Sequence, residues 1–211
     1  QNSGIELMLS GTPIQTPDFT WKTSFNLTSV ANKILDISGT GAENEQLSLG
    51  TYRPLNANTA LVKGMAGPQI MAYDYVRDAN GKIVVDATGI PVQAATRTAM
   101  GSVLPKLYGG FNNEFSFKGF NFAFLFDYRF GNKVLSATNY YTIFRGLNQI
   151  TLAGREGGVV AEGVTADGSV NTVNVPAQTY YQNLARRISA LNVLDGDFIK
   201  LRQVTLGYSI K

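Results

Sequence analysis

An alternation of aromatic residues near the middle of the chain constrains its fold more than any other feature of its 211 residues. Residues 109–134 read GGFNNEFSFKGFNFAFLFDYRFGNKV, with an aromatic residue at every second position from 120 to 130 and the opposite parity before Lys118-Gly119. Successive side chains of a β-strand point to opposite faces. A two-residue turn at Lys118-Gly119 therefore predicts one hairpin with all of its rings on a single face.

The predicted pairing places Phe117 opposite Phe120, Phe115 opposite Phe122 and Phe111 opposite Phe126. The other face is mixed and mostly polar: Asn112, Glu114, Ser116, Asn121, Ala123, Leu125, Asp127 and Arg129. Strands of about 12 residues span roughly 40 Å, and a tilt of about 45° projects this length to about 28 Å. That projection is close to the hydrocarbon thickness of a bilayer. The apolar medium that the rings require is thus either lipid or a protein core.

Both ends of the chain show the same alternation. Residues 1–28 predict a hairpin in which Ile5, Leu7, Leu9, Phe19, Trp21, Phe25 and Leu27 share one face across the turn TPIQTPD, residues 12–18. Near the other end, Val204, Leu206 and Tyr208 alternate with polar residues. The long segments between these strands contain a short hairpin at Asn80-Gly81 and two weakly helical stretches, LSATNYYTIFRGLNQ and PAQTYYQNLARRISAL.

Composition removes several classes of function. Cysteine and histidine are absent, which excludes thiolate catalysis, Ser-His-Asp triads and zinc sites built on those residues. No nucleophile with a neighbouring base is evident. We therefore expect that the protein is not an enzyme and that it has no catalytic residue, metal site or cofactor. A net charge of +3 is too small to indicate nucleic acid binding. No apolar run of about 18 residues predicts a transmembrane helix.

Two architectures fit these patterns. In the first, the chain is part of an outer-membrane β-barrel, because long loops on one side and tight turns on the other are typical of such barrels. In the second, it is a soluble β-sandwich, such as a carbohydrate-binding or adhesin module, with the rings between two sheets.

Five ordered segments carry a family resemblance: residues 4–34, 64–91, 101–134, 154–160 (GREGGVV) and 195–210. The most specific are GSVLPKLYGGFNNEFSFKGF, at 101–120, and FIKLRQVTLGY, at 198–208. In this order they resemble the C-terminal barrel portion of SusC/RagA-like TonB-dependent outer-membrane transporters.

The resemblance implies an all-β fold, part of a large antiparallel transmembrane barrel of about 22 strands with long extracellular loops. It implies import of an oligosaccharide, or a peptide, across the outer membrane of a Gram-negative bacterium. The implied partners are a SusD-like surface lipoprotein, the rest of the barrel with its plug, TonB acting through that plug, and the lipid bilayer. The plug and the last strands are not among the matched segments, so we expect this chain to be one portion of a larger transporter.

On this interpretation the chain forms a hairpin (1–28), a long extracellular loop (29–100), a second hairpin (101–134), a second long extracellular loop (135–196) and a strand (197–211). We expect the lipid-facing residues to be Phe19, Trp21, Phe25, Phe115, Phe117, Phe120, Phe122, Phe124, Val204, Leu206 and Tyr208. The lumen-facing set is Lys22, Ser24, Asn26, Glu114, Asn121, Asp127, Arg129, Gln203 and Thr205, in which Asp127 and Arg129 are candidates for an ion pair.

The candidate solute contacts lie on the predicted loops: Tyr140, Tyr141, Arg145, Arg155, Tyr180 and Tyr181. Tyrosine combines a flat apolar face with a hydrogen-bonding tip, and arginine offers a planar fork of donors, both suited to sugars or peptides. The alternative for each residue is packing within the loops or against the lipoprotein.

Overall fold

Long antiparallel strands dominate the structure, a computed structural model that describes residues 1–39 and 45–210. Residues 40–44, within the predicted loop 29–100, and Lys211, at the end of the predicted strand 197–211, lie outside the described residues. Among the helices that the structure describes, none is long and apolar enough to cross a membrane. The mostly β character predicted from the sequence is confirmed.

The described elements, in chain order, are β1 (Asn2–Gln15), β2 (Phe19–Asn32), β3 (Gln46–Tyr52), β4 (Ala57–Val62), β5 (Gln69–Ala72), β6 (Thr98–Ser102), β7 (Leu107–Phe117), β8 (Phe120–Phe130), β9 (Lys133–Leu135), α1 (Ala137–Phe144), β10 (Val159–Val160), β11 (Asn174–Val175), α2 (Ala177–Arg187), β12 (Val193–Asp195) and β13 (Phe198–Tyr208). Two 3₁₀ helices, Gln149–Leu152 and Ser189–Asn192, follow α1 and α2.

The five longest strands form one antiparallel sheet in the order β1-β2-β7-β8-β13. The turn between β7 and β8 lies at Lys118 and Gly119, whose φ angles are 45° and 92°. These left-handed conformations are what a two-residue hairpin turn requires. The register pairs Phe117 with Phe120, as the alternation predicts.

The aromatic rings cover one face of this sheet and no second layer of the described chain covers them. Phe115 stacks on Trp21, with ring centroids 5.9 Å apart, and on Phe122, at 6.2 Å. Phe117 and Phe120 remain 50% and 54% exposed. A β-sandwich would bury these rings between two sheets, so the described structure lacks the layer that the soluble alternative needs.

The opposite face carries the predicted polar residues, with one correction. Asp127 does not pair with Arg129; its carboxylate accepts a hydrogen bond from the Nε of Arg202. A bulge between Leu201 and Gln203 makes Arg202 an extra residue in β13 and allows its side chain to reach Asp127. The guanidinium of Arg129 lies over the ring of Phe198 instead, 5.8 Å from its centroid.

The first hairpin has a shorter turn than the predicted segment 12–18. Strand β1 continues to Gln15 and passes through a register shift between Gly11 and Ile14. Pro13 lies within this irregularity, where its missing N–H breaks no ladder hydrogen bond. Strand β2 also runs four residues beyond position 28, to Asn32.

Both long connections leave the sheet at the same end. The strand ends Asn32, Leu107, Phe130 and Phe198 lie together in the registers, opposite the turns at 16–18 and 118–119. The first connection forms a sheet in the order β3-β4-β5-β6, and the second carries α1 and α2. Apart from Gly110 and Asn113, every buried residue in the described ranges lies outside the five-stranded sheet. The core is therefore built by the connections and not by the long strands.

Asn113 is a polar residue on the ring-covered face. It is 2% exposed, and its Oδ1 accepts a hydrogen bond from Trp21 Nε1 at 2.9 Å. Its Nδ2 has no partner among the described residues. Among the described residues, the Trp21 indole therefore provides the one hydrogen bond of the Asn113 side chain, which lies among the aromatic rings of this face.

We expect the substitution Trp21→Phe to lower the free energy of unfolding by about 1–3 kcal/mol, because the Oδ1 of Asn113 then loses its donor. Adding Asn113→Leu should recover most of this loss, since an apolar group of similar shape needs no partner. Urea unfolding in detergent of the four proteins of this double-mutant cycle measures the coupling. Additive effects of the two substitutions would contradict this account.

Candidate functional site

The two long connections pack together around one apolar cluster. Leu55 comes from the first connection, and the other members come from the second: Tyr140, Ile143, Tyr181, Leu184, Ala185 and Ile188. Hydrogen bonds reinforce the contact, because the Tyr73 N–H donates to Ser189 Oγ at 2.7 Å and the Ala190 N–H donates to the Tyr73 carbonyl at 3.0 Å. Residues far apart in sequence thus form one body at the end of the sheet.

Side-chain hydrogen bonds fix α1 within this body. The Oγ of Ser136 caps the helix by accepting from the Asn139 N–H at 3.1 Å. The Nδ2 of Asn139 then donates to the carbonyl of Leu191 at 2.9 Å, in the 3₁₀ helix that follows α2. The orientation of α1 relative to the end of α2 is therefore fixed by directed bonds as well as by packing.

An ion pair ties α2 to the first connection. Arg187 Nη1 lies 2.7 Å from a carboxylate oxygen of Asp86, and both side chains are about one-third exposed. Partial burial alone would raise the pKa of Asp86, but hydrogen bonds from Arg187, Thr88 and the N–H of Ile90 outweigh it and lower the pKa to about 2. The carboxylate is thus charged under all physiological conditions.

A cavity of about 900 Å³ opens where the C-terminal end of α1 meets the N-terminal end of α2. Its size lies within the usual range of ligand sites. The lining residues come from three segments, and they are Ile143, Phe144, Arg145, Gly146, Thr151, Arg155, Glu156, Gly157, Gly158, Asn174, Pro176, Ala177, Gln178, Tyr181 and Gln182.

Arg155 braces the wall of this cavity. Its Nε donates to the Thr151 carbonyl at 3.0 Å, and its Nη2 donates to the Gly146 carbonyl and to Thr151 Oγ1. Gly158 follows in the GREGGVV motif with φ of 83°, and a Cβ there would lie 2.2 Å from Asn174 Oδ1. The motif therefore shapes the cavity through backbone conformation as well as through its arginine.

Tyr181 supplies the floor of the cavity. It is 7% exposed, and its hydroxyl donates to the Ala153 carbonyl at 3.2 Å. Burial raises the pKa of Tyr181, so this hydroxyl remains a donor at neutral pH. Burial also raises the pKa of Tyr75 to about 12, and its neighbours Tyr180 and Asp74 act in the same direction against Arg77.

The structure distributes the six candidate solute contacts over three environments. Arg145, Arg155 and Tyr181 line the cavity. Tyr140 is 4% exposed within the apolar cluster, and Tyr180 packs half-buried against it. Tyr141 is 47% exposed outside the cavity.

Sequence reasoning did not select five polar residues that line the cavity: Thr151, Glu156, Asn174, Gln178 and Gln182. Two of them lie in the first turns of the helix whose start is marked by Pro176, and Glu156 lies within the glycine-rich motif. The start of α2 and the glycine-rich motif were the available signals for these residues. Polar side chains next to a helix start or a glycine-rich turn face solvent or a cavity.

We expect Arg187→Ala to weaken the packing of the two connections against each other by about 1 kcal/mol at neutral pH. The effect is small because the ion pair is partly exposed. The folded pKa of Asp86 is about 2 against 3.8 unperturbed, so the stabilisation is present above about pH 4 and is lost as pH falls through about 2. Rates of proteolysis of folded protein, by thermolysin at pH 7 and pepsin at pH 2, measure the effect. Arg186→Ala on the same turn is the control, and an equal effect of both variants at pH 7 would reject the ion pair as the cause.

Comparison with known proteins finds similarity to TonB-dependent receptors. No family model matches the chain. TonB-dependent receptors P26 and P39 of Formosa agariphila are 27% and 28% identical to it over 100% and 99% of the chain, which covers 22% and 24% of those proteins. TonB-dependent receptor SusC of Bacteroides thetaiotaomicron is 23% identical over the whole chain, which covers 20% of SusC.

Solved structures agree in fold. The RagAB peptide importer in its open-open state matches 98% of the chain with a TM-score of 0.62 and 19% identity, and the chain covers 22% of that structure. The RagAB peptide transporter matches the same share with a TM-score of 0.57. The chain thus spans about a fifth to a quarter of the length of the proteins it matches.

None of these relatives is an enzyme. The matched segments include the five-stranded sheet and both connections, since the matches cover nearly the whole chain. The chain is therefore SusC/RagA-like along its length, as its sequence motifs predict.

Proposed function

We propose that this chain forms part of the wall and of the extracellular loops of a TonB-dependent nutrient importer in the outer membrane of a Gram-negative bacterium. The observation that carries the proposal is the uncovered aromatic face of the five-stranded sheet. A continuous apolar surface on long strands, with a polar surface behind it, is the arrangement of a barrel wall between lipid and a hydrated lumen.

Strand dimensions support the membrane assignment. Strands β7, β8 and β13 each contain 11 residues. At about 3.4 Å per residue and a tilt of about 45°, each crosses roughly 26 Å, which matches the apolar band of outer-membrane barrels. The edges of β1 and β13 would pair with further strands to close a barrel of about 22 strands around a plug.

The asymmetry of the sheet supports an orientation. The short turns at 16–18 and 118–119 would face the periplasm, and the connections 29–100 and 135–196 would be extracellular loops. The cavity between α1 and α2 would then lie above the barrel opening, where a solute enters. A SusD-like lipoprotein would cover these loops, and TonB would act through the plug.

The proposed solute is an oligosaccharide or a peptide. SusC is among the relatives, and the RagAB structures are named as those of a peptide importer. Arg145, Arg155, Tyr181 and the amides around them would contact the solute, since their donors and the tyrosine ring suit either class. Fluorescent oligosaccharides and peptides, offered to cells with and without the full-length transporter, test import. Equal uptake of every probe by both strains would reject the proposal.

We expect Phe124→Lys to reduce folded protein in the outer membrane, because a lysine on the lipid side near mid-membrane costs about 2–4 kcal/mol. Ala123→Lys is the matched control, since it lies next in β8 on the polar face, opposite Glu114. Heat-modifiable mobility of the full-length protein on gels measures the folded fraction. If Ala123→Lys caused the larger loss, the two faces would be assigned the wrong way round.

A further inference from the structure

Arg145 presents an unused guanidinium to the cavity between α1 and α2. The residue ends α1 and is exposed, and its side chain lies over the ring of Phe144 at 5.4 Å from the centroid. Within residues 1–39 and 45–210 it has no salt bridge and donates no side-chain hydrogen bond. A ring at this distance attracts the guanidinium and leaves its N–H donors available to a ligand.

Arg155 adds a second guanidinium edge in the same wall. Its Nε and Nη2 are occupied by the carbonyls and hydroxyl that brace the cavity, whereas Nη1 has no hydrogen bond to the described part of the chain. Among the residues that the structure describes, Glu156 is the only acidic one in the lining, and the charged lining residues sum to one positive charge. An anion entering the cavity therefore meets a net cationic wall.

Neutral donors complete the lining. Gln178 and Gln182 contribute side-chain amides from α2. The same helix begins at Pro176 without a side-chain cap, and its first N–H groups have no helical acceptor. These amides and N–H groups add to the arginines and do not by themselves define a site.

We propose that this cavity binds a carboxylate group of the imported solute, with Arg145 as the principal contact and Arg155 as the second. A carboxylate fits because its two oxygens match the guanidinium fork. The inference rests on the proposed import function, whose two solute classes both carry this group: peptides at their C terminus, and acidic oligosaccharides in their uronic acids. The site thus favours peptides with a free C terminus or oligosaccharides that contain uronic acids.

The test uses the full-length transporter purified in detergent. Four probes are titrated: tetra-alanine with a free or an amidated C terminus, and tetragalacturonate in its free or methyl-esterified form. We expect one of the free acids to bind at least about tenfold more tightly than its neutralised counterpart, and Arg145→Gln to remove that preference. The acid that binds identifies the source of the carboxylate.

Arg186→Gln is the matched control. Arg186 contacts the same Phe144 ring, at 4.8 Å, but does not line the cavity, so its loss should leave the preference unchanged. Loss of preference in both variants, or in neither, would overturn the assignment to Arg145. Heat-modifiable mobility confirms that each variant is folded.

Chemical modification gives a readout independent of transport. Phenylglyoxal reacts with accessible arginine, and peptide mass mapping reports modification of Arg145. We expect the preferred free acid to protect Arg145 and its neutral counterpart to give no protection. Equal protection by both members of each pair, or none, would overturn the carboxylate site even where cells import the probes. Failure of uptake with protection intact would instead reject the import function.

Discussion

The structure depends on antiparallel backbone pairing that places most rings of the long strands on one side, with Tyr108 and Phe198 beside Arg129 on the polar side. Strand side chains alternate, so the register that pairs Phe117 with Phe120 also sets the face of each later residue in β7 and β8. A shift of one residue would move the rings to the polar face. The register of the strands therefore also determines which surface of the sheet is apolar and which is polar, and this holds across all five strands.

A sheet of this kind cannot supply the core of a water-soluble protein, and the long connections supply one instead. Leu55, Ile143 and Ile188 meet in a cluster that joins the two connections, while the sheet keeps both faces open. The ion pair of Asp86 with Arg187 lies on the margin of that cluster. The chain therefore contains two stabilising environments: packed side chains at one end, and the medium around the rings along the strands.

Local patterns in the sequence predicted the features that depend on neighbouring residues. They include the turn at Lys118-Gly119, the faces of the hairpins and the start of α2 after Pro176. The contact of Asp127 with Arg202 was missed. It depends on a bulge that adds a residue to β13, and the trace of that bulge in the sequence is the change of parity from Ile199 and Leu201 to Val204 and Leu206. The cavity left no such trace, because Arg145, Arg155 and Tyr181 were found as residue types but their meeting depends on packing between distant segments.

The register of the sheet also determines where the cavity lies. Beyond β8 and β13 the ladder is interrupted, and there the Gly131 N–H donates to the Asp197 carboxylate at 2.7 Å and the Gly196 N–H donates to the Asn132 carbonyl at 2.9 Å. Pairing resumes between β9 and β12, and β9 leads directly into the Ser136 cap of α1. Because α1 follows this extended ladder without an intervening loop, a slip between β8 and β13 would displace its first turn from the 3₁₀ helix beside it. The pairing that turns the rings outward therefore also positions the wall of the cavity.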